Sequence, residues 1–495
     1  MDLTKNSVSL NRLILDHWNN YEETTDAIVP DTFPDISRIA AVYGNAQIKD
    51  DTPQSGRVLI SGSVRMTVLY VPENGGTLCR LDIPISFAHI EEAAGITESS
   101  ELFVCCRVVG ADAHVMNSRK ISVTATLSIS CRVFEQDTIQ LTDGFSDDCN
   151  LELLTTTHTV TLPVAIQRKE FTMMDDVNIP DSTCFSDIFA PRADLRLSDC
   201  RLMNGKVVLK GDAALHFLAM TTEDTLEHID CVVPFTQIFE VDSMTENQQL
   251  SVSFSVRHLD CELREDGQIS IGLGAYVLLT AFETHTLHLI SDVYHLEHPV
   301  HTETQPITLP TCHPLTEIGC EASETLPVGM KIAQIADVTA VLDTLLCDSS
   351  RTVLRMMVCV VYRSDDGEYY SVHRAIHMPL NLPDHAHTVR INSMQCRASG
   401  TISGEDSVVL SLSGRCSLFC DEPLPINDLT ALTVEENATV PDSPVSVILR
   451  YVDAEERLWD IAKHYRTTVQ AIQQANQLDT DSLSARTQML LIPVR

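Results

Sequence analysis

The sequence predicts a mainly β protein: three tandem β-rich, sandwich-like domains followed by a small α+β domain of βααβ order. Three observations carry that expectation. A pair of strand-like hairpins recurs three times along the chain. Apolar spacings of three and four mark two short helices near the C-terminus. The charge balance changes between these two regions.

The first hairpins are VLISGSVRMTVLYVPENGGTLCRLDIPISF (58–87), VVLKGDAALHFLAMTTEDTLEHIDCVVPF (207–235) and the more divergent VLRMMVCVVYRSDDGEYYSVHRAIHMPL (353–380). Gly62 of the first copy matches Gly211 of the second, and Tyr70 matches Tyr362 of the third. A second hairpin follows in each copy, turning at Asn117-Ser118, Asp266-Gly267 and Ser403-Gly404. Period-two alternation bounded by such turns reads as half-buried antiparallel strands. The lead-in Ile28-Val29-Pro30-Asp31 has a counterpart at Asn178-Ile179-Pro180-Asp181, whereas none is evident in the third copy. A unit of about 145 residues exceeds any solenoid repeat and is long enough to bury its own core as a sandwich or an open barrel.

The predicted layout is an N-terminal segment 1–27, β domains over 28–165, 166–310 and 311–432, a linker 433–447 and a terminal domain 448–495. Leu10, Leu13, Ile14 and Trp18 of the first segment fit one helical face or a strand. The linker stands out as polar, acidic and proline-containing.

Composition narrows the function. With 495 residues the soft prior is about three domains. Lys and Arg number 34 and Asp and Glu 69, a net charge of 34 − 69 = −35. Residues 441–495 hold seven acids and six basic residues, so the first 440 carry 28 − 62 = −34. Nucleic acid and anionic membrane surfaces are poor partners for such a chain, because both select clustered Lys and Arg. No stretch approaches 18 apolar residues, so no membrane span is expected, and the N-terminus lacks the pattern of a secretory signal. The sixteen cysteines include no Cys-x-x-Cys pair and sit mostly within apolar alternations. They are expected to be free, buried thiols.

No catalytic constellation stands out. G-x-S-x-G, P-loop, G-x-G-x-x-G and His-Glu-x-x-His patterns are missing. Six of the 18 histidines fall between 285 and 313. Thr284–Tyr294 alternates like a strand, where a spacing of three points side chains to opposite faces, so no metal is expected there. The expectation is a non-enzyme with no cofactor, no metal and no catalytic residues. A deep pocket with convergent polar groups would instead point to an enzyme.

Within 448–495, Arg450-Tyr451-Val452 opens a strand. Leu458, Ile461, Ala462 and Tyr465 form a helix face. Thr467-Thr468 offers an N-cap to a second helix bearing Val469, Ile472 and Ala475, which ends at Asn476. Met489-Leu490-Leu491-Ile492-Pro493 closes the sheet. This segment resembles the LysM domain, through Val452, Leu458-Trp459-Asp460-Ile461-Ala462, Tyr465, Thr467-Thr468, Ile472, Asn476, Leu478, Gln488, Leu490 and Ile492-Pro493. The resemblance implies binding of N-acetylglucosamine polymers in a shallow groove between two loops. At those loops this chain departs from the pattern. Glu455-Glu456-Arg457 stands for Gly-Asp-Thr, Arg486-Thr487-Gln488 for Pro-Gly-Gln, and Arg466 for the glycine after the helix tyrosine. The candidate binding residues are therefore Glu455, Glu456, Arg457, Trp459, Arg466, Arg486, Thr487 and Gln488. Two readings stay open: a glycan module, or a LysM scaffold turned to protein recognition, which long charged side chains suit.

The whole chain resembles SipL-like proteins of endospore-forming clostridia, in which tandem SPOCS domains precede one LysM domain. PDIS near residue 34 and GSVRMTVLY near residue 62 carry the SPOCS likeness. The resemblance implies a spore-coat morphogenesis scaffold, cytoplasmic in the mother cell and placed at the forespore surface. Its LysM domain would dock on the stage IV sporulation ATPase of the coat basement layer, with other coat proteins as further partners. The rival is a peptidoglycan-binding protein of the cortex or cell wall.

Overall fold

In the computed structural model the described residues are 2–145, 150–178, 185–314, 317–348, 351–383, 388–435, 445–453, 456–478 and 488–494. The first lobe contains β1 (Leu3–Ile28), β2 (Ile36–Gln54), β3 (Arg57–Pro72), β4 (Cys79–Glu92), β5 (Glu101–Asn117) and β6 (Lys120–Phe145). They form two antiparallel sheets of order β2-β3-β4 and β1-β6-β5. The second lobe repeats the plan with β7 (Leu151–Asn178), β8 (Phe185–Met203), β9 (Lys206–Thr221), β10 (Leu226–Glu240), β11 (Gln249–Leu263) and β12 (Gln268–His295), in orders β8-β9-β10 and β7-β12-β11. Alternating residues of the two inner faces supply each core: Val64, Met66, Val123 and Leu127 in the first lobe, and Leu209, Phe217, Ile271 and Val277 in the second.

The third lobe keeps the plan with interruptions. Its elements are β13 (Val300–Leu309), β14 (Cys312–Pro314), β15 (Ile318–Pro327), β16 (Ile332–Cys347), β17 (Thr352–Ser364), β18 (Tyr369–Leu380), β19 (Val389–Ser403), β20 (Ser407–Asp421) and β21 (Leu424–Val434). One sheet runs β16-β17-β18. In the other, β13, β14 and β15 together do the work of the single strand β1, and β20 with β21 that of β6. The interruptions carry Pro310, Pro314 and Pro423 at or near them, residues that cannot donate to a ladder.

The lobes begin earlier in the chain than the sequence suggests. Residues 3–27 of the expected N-terminal segment belong to β1, which pairs with β6 from Leu3↔Phe145 to Ile28↔Lys120. The expected boundaries near 165 and 310 likewise give way to starts at Leu151 and Val300, because each lobe's first strand pairs with its last. The helix-like spacing of Leu10, Leu13, Ile14 and Trp18 comes from a β-bulge between Leu13 and Leu15, which breaks the alternation. The third copy does have a lead-in, in shortened form. Val29 and Ile36 donate backbone N–H groups to Arg119 and Ser118, and Val328 and Ile332 donate equivalently to Asp406 and Glu405. Residues 436–444 of the expected linker lie outside the described residues.

Two apolar clusters hold the lobes together, and each draws on all three. One joins Ala41 and Tyr43 to Phe189 and Leu218 and to Ala336 and Val361. The other joins Leu10 and Leu141 to Leu162 and Leu287 and to Leu309 and Ile426. Matching strands of each lobe thus meet at a common seam. A cavity of about 910 Å³ opens along that seam, lined by residues of all three lobes.

Candidate partner-binding site

The C-terminal unit consists of β22 (Val447–Val452), α1 (Leu458–Tyr465), α2 (Val469–Asn476) and β23 (Gln488–Pro493), with β22 antiparallel to β23. Asp460 in the first turn of α1 and Lys463 and His464 in its last turn complement the helix dipole. The helix ends on Arg466 in the left-handed region (φ 53°), and the Arg466 N–H bonds Ala462 and Lys463 carbonyls. A non-glycine residue there costs on the order of 1 kcal/mol. Thr468 caps α2 by accepting from the Ala471 N–H at 3.0 Å. Asn476 then ties α2 to β23, donating to Leu491 O at 2.6 Å and accepting from Leu491 N at 2.7 Å.

So small a domain has little interior of its own. Its core of Val452, Leu458, Ile461, Ala462, Ile472, Leu490 and Ile492 extends onto the second lobe through Leu154, Tyr294 and Leu296. Trp459, only 7% exposed, stacks edge-on against Tyr294 at 4.9 Å between ring centroids. Its indole N–H donates to Asp292 at 2.8 Å. Lys463 donates to both oxygens of the same carboxylate at 2.7 and 2.8 Å. Tyr294 in turn donates to Thr467 O at 2.6 Å. Burial raises the Asp292 carboxyl, but the hydrogen bonds from Lys463 and Trp459 and the attraction of the ammonium outweigh it and hold the group below its ordinary value.

Among the sequence-predicted residues whose side chains the structure describes, Glu456, Arg457, Trp459 and Arg466 do not form one patch. Glu456 accepts from Arg450 at 2.6 Å and from the Asp453 N–H at 3.1 Å, an internal tie. Arg457 forks onto Asp460 at 3.0 and 3.3 Å in an exposed pair. Trp459 faces the second lobe. Arg466 lies at the far end of α1, close enough to His295 to help hold that imidazole below its ordinary value, after burial and His298. Gln488 pairs with Val452 through its backbone. Glu455, Arg486 and Thr487 lie outside the described residues.

An apolar stripe stands out instead. Leu449 pairs with Leu491 and Tyr451 with Met489 across the two-stranded sheet, and Val447 continues the row. Leu449 is 61% and Tyr451 74% exposed, and Val447, Met489 and Leu491 are also exposed. Ile448, Val452, Leu490 and Ile492 have the opposite parity and point to the core. The signal was present in the sequence: SVILRYV and MLLIP are apolar at both parities. A sheet packed on one side only needs just one of them.

The SipL SPOCS-domain family matches residues 35–116 and 186–264, and the LysM domain family matches residues 452–493. The chain thus carries two SPOCS domains of the SipL type and a C-terminal LysM domain. The SPOCS matches cover β2 to β5 and β8 to β11, so the first and last strands of those lobes lie beyond them. The third lobe shares the strand plan without a match of its own. No curated protein and no solved structure matches the chain. The SPOCS and LysM domains fit a sporulation coat-related protein capable of peptidoglycan binding. Among the described residues, no helix is long and apolar enough to cross a membrane.

Proposed function

We propose that this SipL-like chain is a non-enzymatic assembly protein of the spore coat, which acts in the mother cell and links the coat to the forespore surface. Its LysM domain docks on the stage IV sporulation ATPase, and the acidic lobes engage other coat proteins. The observation that carries this reading is the apolar stripe Val447, Leu449, Tyr451, Met489 and Leu491. A row of large aliphatic groups around an exposed tyrosine suits a protein surface, whose buried centre is apolar and depleted of charge. The docked α1 face is spent on the second lobe and turns the stripe outward. The strong negative charge of the lobes selects basic partners and raises encounter rates with them.

The test uses the full chain against the purified ATPase and against insoluble peptidoglycan. Leu449→Ser with Tyr451→Ser is expected to abolish ATPase capture. The charge reversals Glu456→Arg with Arg457→Glu are expected to leave most of it. Saturable peptidoglycan retention by the parent chain, with no ATPase capture, would overturn the proposal in favour of a wall-binding protein.

A further inference from the structure

The seam cavity holds a donor set that the coat-assembly reading does not use. In the β9–β10 ladder His216 lies opposite Asp230, and His228 is two residues before Asp230 on the same strand. All three side chains therefore share one face of the sheet, and that face lines the cavity. His216 Nδ1 lies 2.5 Å and His228 Nε2 2.7 Å from the same Asp230 oxygen. The three donor atoms fall within 4.8 Å of one another. Behind them, His228 Nδ1 is 2.8 Å from Asp337, a carboxylate of the third lobe that is 3% exposed. Tyr43 of the first lobe and Arg192 of the second also reach Asp337, at 3.2 and 3.4 Å.

The first lobe shows what this position ordinarily needs. The register positions of His216, His228 and Asp230 are there Thr67, Arg80 and Asp82. The Arg80 guanidinium bridges Asp82 at 2.6 Å, so the slot carries its own fixed cation. In the second lobe imidazole replaces the guanidinium, and the slot's cation must come from a proton or from outside. With a proton, His228 has to donate from both nitrogens at once, to Asp337 and to Asp230. With a metal, Nδ1–H stays on Asp337 and Nε2 is free to coordinate, the usual way a carboxylate fixes the tautomer of a ligating histidine.

We propose that His216, His228 and Asp230 bind one divalent transition-metal ion of the zinc class at the seam of the three lobes, with Asp337 as the residue that positions His228. Two imidazoles and one carboxylate suit zinc and its first-row neighbours and not calcium or magnesium, which take oxygen ligands. Metal–ligand bonds of about 2.0–2.2 Å require the donors to spread by under about 1 Å from their present hydrogen-bonded spacing. Three protein donors leave a coordination position facing the cavity. Because Asp337 belongs to the third lobe and touches Tyr43 of the first, a bound ion ties the seam together.

The full chain, stripped with a chelator, is titrated with Co²⁺ in excess Ca²⁺, which saturates exposed carboxylates, and then with Zn²⁺. The expected result is one equivalent of Co²⁺ with a ligand-field absorption band that Zn²⁺ abolishes. His216→Thr, which copies the first lobe, should lose the band while its far-UV circular dichroism stays that of the parent. Asp337→Asn should weaken binding roughly 10- to 100-fold. A parent chain with no saturable Co²⁺ site, or a His216→Thr variant with an undiminished band, would overturn the proposal.

Discussion

The LysM domain has two sides that differ in kind. Its inner side meets the second lobe through one tryptophan, one lysine and a shared carboxylate, with a tyrosine underneath. Its outer side is a bare apolar stripe on β22 and β23. A directional contact fixes orientation, and a non-directional one supplies a surface that a partner can bury. The domain is thus oriented by polar geometry over an apolar contact on one side and offers free hydrophobic area on the other, so the two sides should respond differently to substitution.

The largest separation is expected from Trp459→Ala. It removes an indole from both the small core and the Asp292 contact, and should cost about 3–5 kcal/mol. In denaturant, an early transition confined to the LysM unit would appear while the lobes unfold as before. Asp292→Ala comes next. It leaves the Lys463 ammonium and the Trp459 N–H without their acceptor, at about 1–3 kcal/mol, and hydrogen exchange should accelerate along α1.

Acidity probes the same contact from another direction. The Asp292 carboxyl sits below its ordinary value of 3.8 in the folded protein. Its contribution is therefore fully present above that value and is lost as pH falls through the lowered one. Docking, followed by Trp459 fluorescence, should hold from neutral pH to the unfolded-state value and loosen below it, and Asp292→Asn should remove this dependence. The smallest stability effect belongs to the outer side. Leu449→Ser with Tyr451→Ser should shift stability by only about 0.5 kcal/mol while removing partner capture. If it unfolded the domain instead, the stripe would be core and the contrast between the two sides would collapse.

The repeated hairpins were legible because alternation and turn chemistry are local. The Gly62–Phe87 and Gly211–Phe235 pairs show how local signals report on packing. In both, the phenylalanine ring covers the glycine on the neighbouring strand, and an added Cβ would meet a backbone oxygen at 2.2 or 2.3 Å. The third lobe fills the same place with Leu354 and Met378, two buried aliphatics, which is why its hairpin looked divergent. Lobe boundaries were not legible, since pairing of β1 with β6 or β7 with β12 links residues 90 to 144 positions apart. The burial of Trp459 was hidden for a related reason. Its acceptor, Asp292, lies 167 residues away and carries no mark of its own in the sequence. The charged loop residues stood out only by contrast with a family pattern, and the structure gives Glu456 and Arg457 partners within their own domain.

Pairing each lobe's first strand with its last also shapes how the chain is made. Leu3 has no partner until Phe145 is synthesised, and Val300 waits for Val434. At roughly 5–20 residues per second, the ~140 residues between them take on the order of ten to thirty seconds to emerge. During that time a strand edge 26 residues long is open to the same strand of a neighbouring nascent chain. Lys5, Arg12 and Asp16 interrupt its apolar run and discourage such pairing. Assembly of each lobe therefore depends on how long its first strand waits for the last, as well as on how stable the finished lobe becomes.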